Sequence, residues 1–240
     1  MSTKLIDLTH ALTDKTPTWD GSCGFHLTIE NDYLNNQNAV SFKVQQMSLN
    51  CGIGTHIDAP AHCIQNSITI DQIPLNQLVN IPGYCIDISN RLDQDNCLTV
   101  NDILEFEAIH GIIQENSNVL INTGWHRYWD TASHYHNKFQ FPYVQIEAAD
   151  LLSQRKIQSI GIDTLSPDRP DSGYPVHDLL LSKNILIVEN VNNLSHLPSK
   201  GFFVTMAPLK LHGATESPIR IWATSLTQDS IDNVPLHPLG

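Results

Sequence analysis

The sequence has few cysteines, few basic residues and no long apolar run. Its five cysteines are odd in number and form no C-x-x-C pair, which excludes a disulfide framework and a cysteine-based zinc knuckle. Lysine and arginine total 13 against 25 acidic residues, and the net charge of −12 makes nucleic acid and anionic membranes poor partners. No window approaches the roughly 18 apolar residues of a membrane span, and the N-terminal segment lacks the apolar core of a signal peptide. We therefore expect a cytoplasmic protein with reduced thiols.

Common nucleotide and hydrolase motifs are also missing. The chain has no G-x-G-x-x-G, P-loop, H-E-x-x-H or G-x-S-x-G segment, so nothing indicates a dinucleotide enzyme, a nucleotide hydrolase or a serine hydrolase. What it does have is 240 residues with 41% hydrophobic residues, enough for a sizeable core. We expect one domain over residues 1–240.

Alternating strands and helices predict a mixed α/β fold. Residues 4–12 and 39–50 alternate apolar and polar side chains, which is typical of half-buried strands. Six short runs rich in β-branched or aromatic residues predict further strands: 84–89, 118–125, 157–166, 184–193, 201–209 and 218–226. Helices are predicted over 99–111, 145–156 and 175–184, from a capping-box spacing at Thr99, a basic C-terminal end and a proline just inside the start.

The segment CGIGTHIDAPAHC, residues 51–63, is the first candidate site. If a strand runs through it, His56 and Asp58 point to the same face, as a zinc or manganese site requires. Pro60 ends the strand and turns His62 back toward the same space. The alternative is a polar turn with surface histidines. Cys51 and Cys63 flank the segment, so a cysteine–histidine nucleophile is a further alternative, although nothing in the sequence shows an activated thiol.

Glu189 is the second candidate, because it lies inside the apolar run ILIVENV. A buried carboxylate is costly unless it is paired or binds a metal. His177 begins the preceding helix, and a helix followed by a strand can return both residues to one edge of the sheet. The alternative is a buried ion pair between Glu189 and an arginine, either Arg169 or Arg220.

The third candidate is INTGW, residues 121–125, where a predicted strand ends at an aromatic residue. Pockets of α/β proteins form at such sheet edges, which makes Trp125 a candidate for substrate contact. A tryptophan that only caps the core is the alternative.

Together these segments resemble the metal-dependent cyclase family of hydrolases, which includes bacterial kynurenine formamidases and isatin hydrolases. The resemblance covers most of the chain. GTHIDAPAH is similar to the family signature H-x-G-T-H-x-D-x-P-x-H, and LIDLTHAL, INTGW, GIDTLSPD and the closing APLKLHG and SPIR follow in the family's order. The resemblance implies a swivelling β/β/α fold with a mixed sheet, in homodimers or higher oligomers.

The resemblance also implies roles for individual residues. His56 and Asp58 match metal ligands, and a second metal would share Asp58 and add His177 and Glu189. His62 matches the catalytic acid/base. The implied activity is arylformamidase, which converts N-formyl-L-kynurenine to L-kynurenine and formate in tryptophan catabolism, with zinc as the expected ion and manganese as the alternative.

One position departs from the signature, because its leading histidine ligand is Gly52 here. Glycine offers no ligand, so we expect the His56 site to be weakened or to take a ligand from Cys51, Asn50 or His212. Hydrolysis of another cyclic amide or lactone such as isatin, or a binding role without catalysis, are the alternative functions. Trp19, Phe25 and Trp125 are the candidates for stacking on an aromatic substrate.

Overall fold

The computed structural model describes residues 3–22, 24–33, 40–91 and 96–226, and within those ranges it has twelve strands and four α-helices. The strands are β1 (Thr3–Asp7), β2 (Phe25–Asn31), β3 (Val44–Leu49), β4 (His56–Asp58), β5 (Ile81–Asp87), β6 (Cys97–Leu98), β7 (Asn118–Asn122), β8 (Tyr143–Val144), β9 (Ser159–Ile162), β10 (Leu186–Glu189), β11 (Lys200–Pro208) and β12 (Glu216–Leu226). The helices are α1 (Val100–His110), α2 (Ala132–His136), α3 (Ile146–Gln154) and α4 (Pro175–Ser182).

Eight of the strands form one mixed sheet, in the order β1-β12-β11-β5-β7-β9-β10-β4. Strands β5, β7, β9 and β10 are parallel neighbours, while β11, β12, β1 and β4 pair antiparallel. Strand β4 pairs with β10 on one side and with β12 on the other, which closes the sheet into a barrel-like ring. The predicted mixed α/β fold with a mixed sheet is therefore confirmed.

The core lies on both faces of this sheet, because successive side chains of a strand point to opposite faces. On β7, Ile121 packs into a cluster with the helix residues Leu152 and Leu180. Its neighbour Leu120 packs into a second cluster, enclosed by the closed sheet, with Phe202. A strand covered on both faces reads as a continuous apolar run, which explains why VLI stood out in the sequence.

Helix α1 begins and ends as its sequence predicts. The Thr99 hydroxyl accepts a hydrogen bond from the backbone N–H of Asp102, and the Asp102 carboxylate accepts one from the Thr99 N–H at 2.8 Å. Gly111 ends the helix with a φ of 85°, a conformation that favours glycine. Helices α3 and α4 also lie within their predicted ranges, and Pro175 occupies the first turn of α4.

We expect Asp102→Asn to lower the free energy of unfolding by about 1–2 kcal/mol, because the variant weakens the capping box and the ion pair with Arg91. Burial alone raises the pKa of Asp102, but the hydrogen bonds from Arg91 and Thr99 outweigh burial and lower it. A carboxylate with a lowered folded-state pKa stabilises the fold above its unfolded pKa of about 3.9, and this contribution is lost as the pH falls through the folded pKa. Urea denaturation should show the full difference at pH 7 and a smaller one near pH 3, whereas the exposed Glu105→Gln control should change little.

Strands β2 and β3 form a separate two-stranded sheet. The strand predicted within 39–50 is present as β3, but its predicted half-burial is wrong, since β3 is exposed along nearly its whole length. Leu27 pairs with Met47, and on the same face of the hairpin Ile29 pairs with Gln45. Leu27, Ile29 and Met47 are each more than half exposed. Alternation in the sequence correctly indicates an apolar face, but it does not show whether anything covers that face.

Candidate metal centre

The register of three strands creates the site. Strand β4 carries His56 and Asp58 and lies between β10 and β12. In these antiparallel pairs Glu189 is directly opposite His56, and Glu216 is directly opposite Asp58. Directly opposed residues project from the same face of a sheet. The register therefore brings four groups together: the imidazole of His56, the carboxylate of Asp58, and one carboxylate from each neighbouring strand.

His56 presents Nε2 to the centre of this group. Its Nδ1 donates a hydrogen bond to the Gly54 carbonyl oxygen at 2.9 Å, which orients the ring. Nε2 lies 3.3 Å from Glu189 Oε2 and 3.7 Å from Asp58 Oδ1. A ring held by Nδ1–H in this way is the usual arrangement of a metal-binding histidine.

His177 enters from the first turn of α4, as the sequence predicted for its position next to Glu189. Its Nε2 lies 3.4 Å from Glu189 Oε1 and 3.7 Å from Asp58 Oδ2. Its Nδ1 donates to Asp168 Oδ2 at 2.8 Å, and the same carboxylate accepts the backbone N–H groups of His177 and Val176. Asp168 therefore fixes both the ring orientation and the start of the helix. Sequence reasoning did not single it out, although it ends the quoted segment GIDTLSPD.

We expect Asp168→Ala to weaken metal binding by about 10–100-fold, because carboxylates that orient ligand histidines typically contribute this much. Calorimetric titration of chelator-treated protein with Zn²⁺ measures the change. Asp178→Ala is the matched control, because Asp178 lies on the same helix but is exposed. Unchanged affinity in Asp168→Ala would show that His177 does not depend on this orientation.

Asp58 is the clearest indication that this site binds a cation. The residue is only 1% exposed, and neither carboxylate oxygen has a hydrogen-bond partner among the described residues. A buried carboxylate without partners is costly, and a divalent cation removes that cost. Two sets of ligand atoms share this aspartate, each with its atoms within 4.8 Å of one another: His56, Asp58 and Glu216 in one set, and Asp58, His177 and Glu189 in the other. Nitrogen and oxygen ligands of this kind suit zinc or manganese.

The acidic neighbours of His56 and His177 favour protonation of both imidazoles. Burial alone lowers the pKa of His56, but the hydrogen bond with Glu189 and the charge of Asp58 outweigh burial and raise it. The pKa of His177 is also raised, because Asp168, Asp58 and Glu189 together outweigh burial. A metal must displace these protons, so its binding weakens as the pH falls.

His62 lies beside both ligand sets without belonging to either. It ends the 3-10 turn Pro60–His62 and is about one-third exposed. Its Nδ1 lies 3.4 Å from Glu216 Oε2, and its ring centroid is 6.0 Å from that of His177. The hydrogen bond with Glu216 raises the pKa of His62 despite partial burial. An imidazole at the edge of a metal cluster is well placed to move a proton.

A cavity of about 450 Å³ opens onto His62 and the ligand sets. Trp19, one of the predicted aromatic contacts, lines it, with its ring 6.1 Å from the ring of Tyr174. Tyr174 also lines the cavity and has a φ of 59°, which is rare and strained for a bulky residue. The sequence does not reveal this conformation. The other described residues around the cavity are Pro17, Thr18, Gly52, His56, Cys63, Leu165, Ser166, His177, Glu189, Asn190 and Glu216.

The structure does not bring Phe25 or Trp125 to this cavity. Phe25 begins the β2–β3 hairpin. Trp125 is buried in a cluster with Leu165, and its Nε1 donates to the Tyr135 carbonyl oxygen at 2.8 Å. Since Leu165 lines the cavity, Trp125 lies one layer behind the wall. The interpretation of Trp125 as a residue that packs in the core fits the structure, and its proposed contact with substrate does not.

The structure also corrects the predicted replacement for the missing histidine. His212 is exposed and pairs with Asp71 at 2.9 Å, Asn50 is exposed, and Cys51 belongs to neither ligand set among the described residues. Glu216 lies beside Gly52 instead. The proposed continuous strand is also absent, because Gly54 has a φ of 62° and β4 begins only at His56.

The alternative interpretations of the candidate residues find little support. Arg220 pairs with Asp7 at 2.7 Å, and Arg169 donates to the Phe141 carbonyl oxygen at 2.9 Å, whereas the carboxylate of Glu189 faces His56 and His177. Burial raises the pKa of the Cys63 thiol, which disfavours the thiolate that a nucleophile needs.

Comparison with known proteins agrees with this arrangement. Residues 6–169, more than half of the chain, match the family model described as "Putative cyclase". The chain belongs to the cyclase family. It is 31% identical to the isatin hydrolase of Roseibium aggregatum over 71% of this chain and 70% of that protein. It is 27% identical to the kynurenine formamidase of Bacillus mycoides, over 90% and 94% of the two chains.

Solved structures also relate this chain to members of the cyclase family. Isatin hydrolase A from Ralstonia solanacearum superposes with a TM-score of 0.85 at 28% identity, covering 93% of this chain and 92% of the other. A structure described as a potential metal-dependent hydrolase with cyclase activity gives 0.75 at 27% identity, covering 94% and 100%. The protein is accordingly a metal-dependent hydrolase of the cyclase family. No described helix is both long and apolar enough to cross a membrane.

Proposed function

We propose that this cyclase-family protein hydrolyses an amide bond to an aromatic amine, with N-formyl-L-kynurenine as substrate and L-kynurenine and formate as products, a reaction of tryptophan catabolism. The observation that carries the proposal is the shared cavity. His62, Trp19 and four members of the two ligand sets line it; these four are His56, His177, Glu189 and Glu216. Its volume of about 450 Å³ suits a small aromatic substrate.

The residues divide the work as follows. A divalent metal, which we propose to be zinc with manganese as the alternative, would polarise the formyl carbonyl and lower the pKa of water when bound to His56, Asp58, His177 and Glu189. Water adds to the formyl carbon, and the bond from that carbon to the aryl nitrogen breaks. His62 delivers a proton to the departing nitrogen, which leaves as the neutral amine.

Aromatic side chains would hold the substrate ring. Trp19 packs on Phe139 with a centroid distance of 4.6 Å, which fixes its indole at the cavity wall. Tyr174 stands near it on the same cavity. Offset or edge contacts with an aromatic substrate typically contribute about 0.5–1.5 kcal/mol each beyond the buried area.

The direct test is turnover of N-formyl-L-kynurenine by protein that has been stripped with a chelator and reloaded with Zn²⁺ or Mn²⁺. We expect turnover only after reloading. Turnover that is insensitive to the chelator would contradict the metal mechanism. An active metal-loaded protein that ignores this substrate but opens another would contradict the formamidase proposal alone.

Isatin is the second candidate substrate, because isatin hydrolases have a TM-score as high as 0.85 with this fold. Isatin also contains an amide bond to an aromatic amine, within a ring, so the same residues would serve. A panel of the two substrates and a simple lactone decides between them. Gly52 is the only motivation for the non-catalytic alternative. Against that alternative, the Glu216 carboxylate, a group able to bind a metal, lies beside Gly52.

We also propose that the protein works in the cytosol as a homodimer that forms through the β2–β3 hairpin. A lone two-stranded hairpin is marginally stable in water, and a second copy offers the same apolar face for two-fold packing. The four described cysteines are free, which suits a reducing compartment.

Leu27→Glu should convert the dimer to monomers, because it places a charge in the centre of the apolar face of the hairpin. Light scattering after size-exclusion chromatography measures the mass. Thr28→Glu is the matched control, because Thr28 pairs with Gln46 on the opposite, polar face. A monomeric wild type, or a Leu27→Glu variant that stays dimeric, would contradict this interface.

A further inference from the structure

The space beside Gly52 is filled by another residue. A Cβ atom added at Gly52 would lie 2.0 Å from Glu216 Oε1 and 3.5 Å from His56 Nε2. The φ of Gly52 is not in the left-handed region, so its backbone accepts a side chain. Among the described residues, only the Glu216 side chain lies closer to this Cβ position than ordinary van der Waals contact.

Glu216 reaches this position from a different strand. It is the first residue of β12, directly opposite Asp58 on β4. The strand register aims its carboxylate at the same face as His56 and Asp58. Its second oxygen, Oε2, lies 3.4 Å from His62 Nδ1, so one carboxylate touches both the ligand set and the candidate acid/base.

We propose that Gly52 and Glu216 form a compensating pair, in which Glu216 supplies from β12 the metal ligand that position 52 lacks. The ion it completes is held with His56 and Asp58, beside the ion of Asp58, His177 and Glu189. The proposal rests on the metal-dependent function above and adds the identity of the ligand.

An independent observation supports a cation at this point. Both oxygens of Asp58 lack hydrogen-bond partners among the described residues, and the side chain is 1% exposed. The two oxygens face different ligand sets, because Oδ1 faces His56 and Oδ2 faces His177. A second cation between His56 and Glu216 accounts for the first of these oxygens.

A carboxylate ligand from Glu216 in place of an imidazole at position 52 also changes the chemistry of the site. An imidazole at position 52 would offer nitrogen, which suits zinc, whereas Glu216 offers oxygen, which suits manganese and other harder cations. We therefore expect a smaller preference for Zn²⁺ over Mn²⁺ at this ion than a histidine would impose.

The test uses six full-length proteins: wild type, Glu216→Ala, Glu216→Gln, Gly52→His, the double variant Gly52→His with Glu216→Ala, and the control His212→Ala. Each is stripped with a chelator and titrated with Zn²⁺ and with Mn²⁺ by calorimetry, and its bound metal is counted by plasma mass spectrometry. Thermal melts accompany each titration. Activity is not the readout, because Glu216 also contacts His62 and its loss would disturb proton transfer.

We expect wild type to bind two ions, Glu216→Ala to lose one, and the double variant to regain it with a stronger preference for Zn²⁺. In Gly52→His alone the Glu216 carboxylate must move aside, because an added Cβ would lie 2.0 Å from Glu216 Oε1. Glu216→Gln keeps the shape with a neutral oxygen, so it should bind the second ion more weakly even if Glu216→Ala fails to fold. The exposed His212→Ala is the control and should match wild type.

Metal counts and affinities equal to wild type in both Glu216 variants would overturn the proposal. A stable double variant that does not regain the ion would also overturn the compensation. Neither result depends on a substrate. Conversely, a protein with the expected metal counts that hydrolyses no aryl amide contradicts the proposed function and leaves the compensating pair in place.

Discussion

Asp58→Asn should leave the protein without bound metal and reduce hydrolysis to the background rate. Asp58 is the only described residue shared by the two ligand sets, so its replacement weakens both at once. An amide is neutral and a poorer ligand than a carboxylate. It also removes the negative charge that lies beside His56 and His177.

Metal analysis and turnover should be measured on the same sample of this variant. Asp178→Asn, an exposed carboxylate on α4, is the matched control and should keep its metal and its activity. An Asp58→Asn protein that is folded by circular dichroism and still carries wild-type metal would contradict the assignment of Asp58 as a shared ligand.

His62→Ala should lower kcat by about 10²–10⁴-fold while leaving the metal content nearly intact, because general acid–base groups typically contribute this much. The structure places His62 beside the ligand sets, about one-third exposed and in contact with Glu216. An imidazole in that position can protonate a departing amine without holding the metal.

Added imidazole should restore part of the activity of His62→Ala, since the cavity is open to small molecules at this residue. His196→Ala, which removes an exposed histidine elsewhere, should behave as wild type. If His62→Ala loses its metal, His62 belongs to the ligand shell and its assignment as acid/base is wrong.

Much of the fold could be predicted from local sequence patterns. The caps of α1, the proline in the first turn of α4 and the β-branched runs of the main sheet all depend on neighbours in the sequence, and each element was predictable. The β2–β3 hairpin was harder to predict from the sequence. Strand β2 was not predicted, and the exposure of β3 depends on what lies against it, which a pattern of alternation does not contain.

Four of the residues brought together at the candidate centre could be identified from residue type and position. His56 and Asp58 are two residues apart on one strand, and Glu189 is a carboxylate in an apolar run with His177 in the preceding helix. The resemblance to the family then assigned them roles as ligands. Asp168 could not be identified from the sequence, because its role depends on a hydrogen bond to His177. An aspartate that follows a turn is common and does not by itself indicate a functional site.

By itself, the sequence determined the mixed α/β class, the helix ends and the residue types that can bind a metal, because these depend on local spacing and composition. Only the tertiary structure decided that Glu216 fills the space beside Gly52, that Trp125 lies behind the cavity wall and that Tyr174 stands at its edge. The pairing of β12 with β4 joins residues far apart in the chain, and its register places Glu216 opposite Asp58. Long-range register of this kind results from the closure of the whole sheet, so no local segment encodes it.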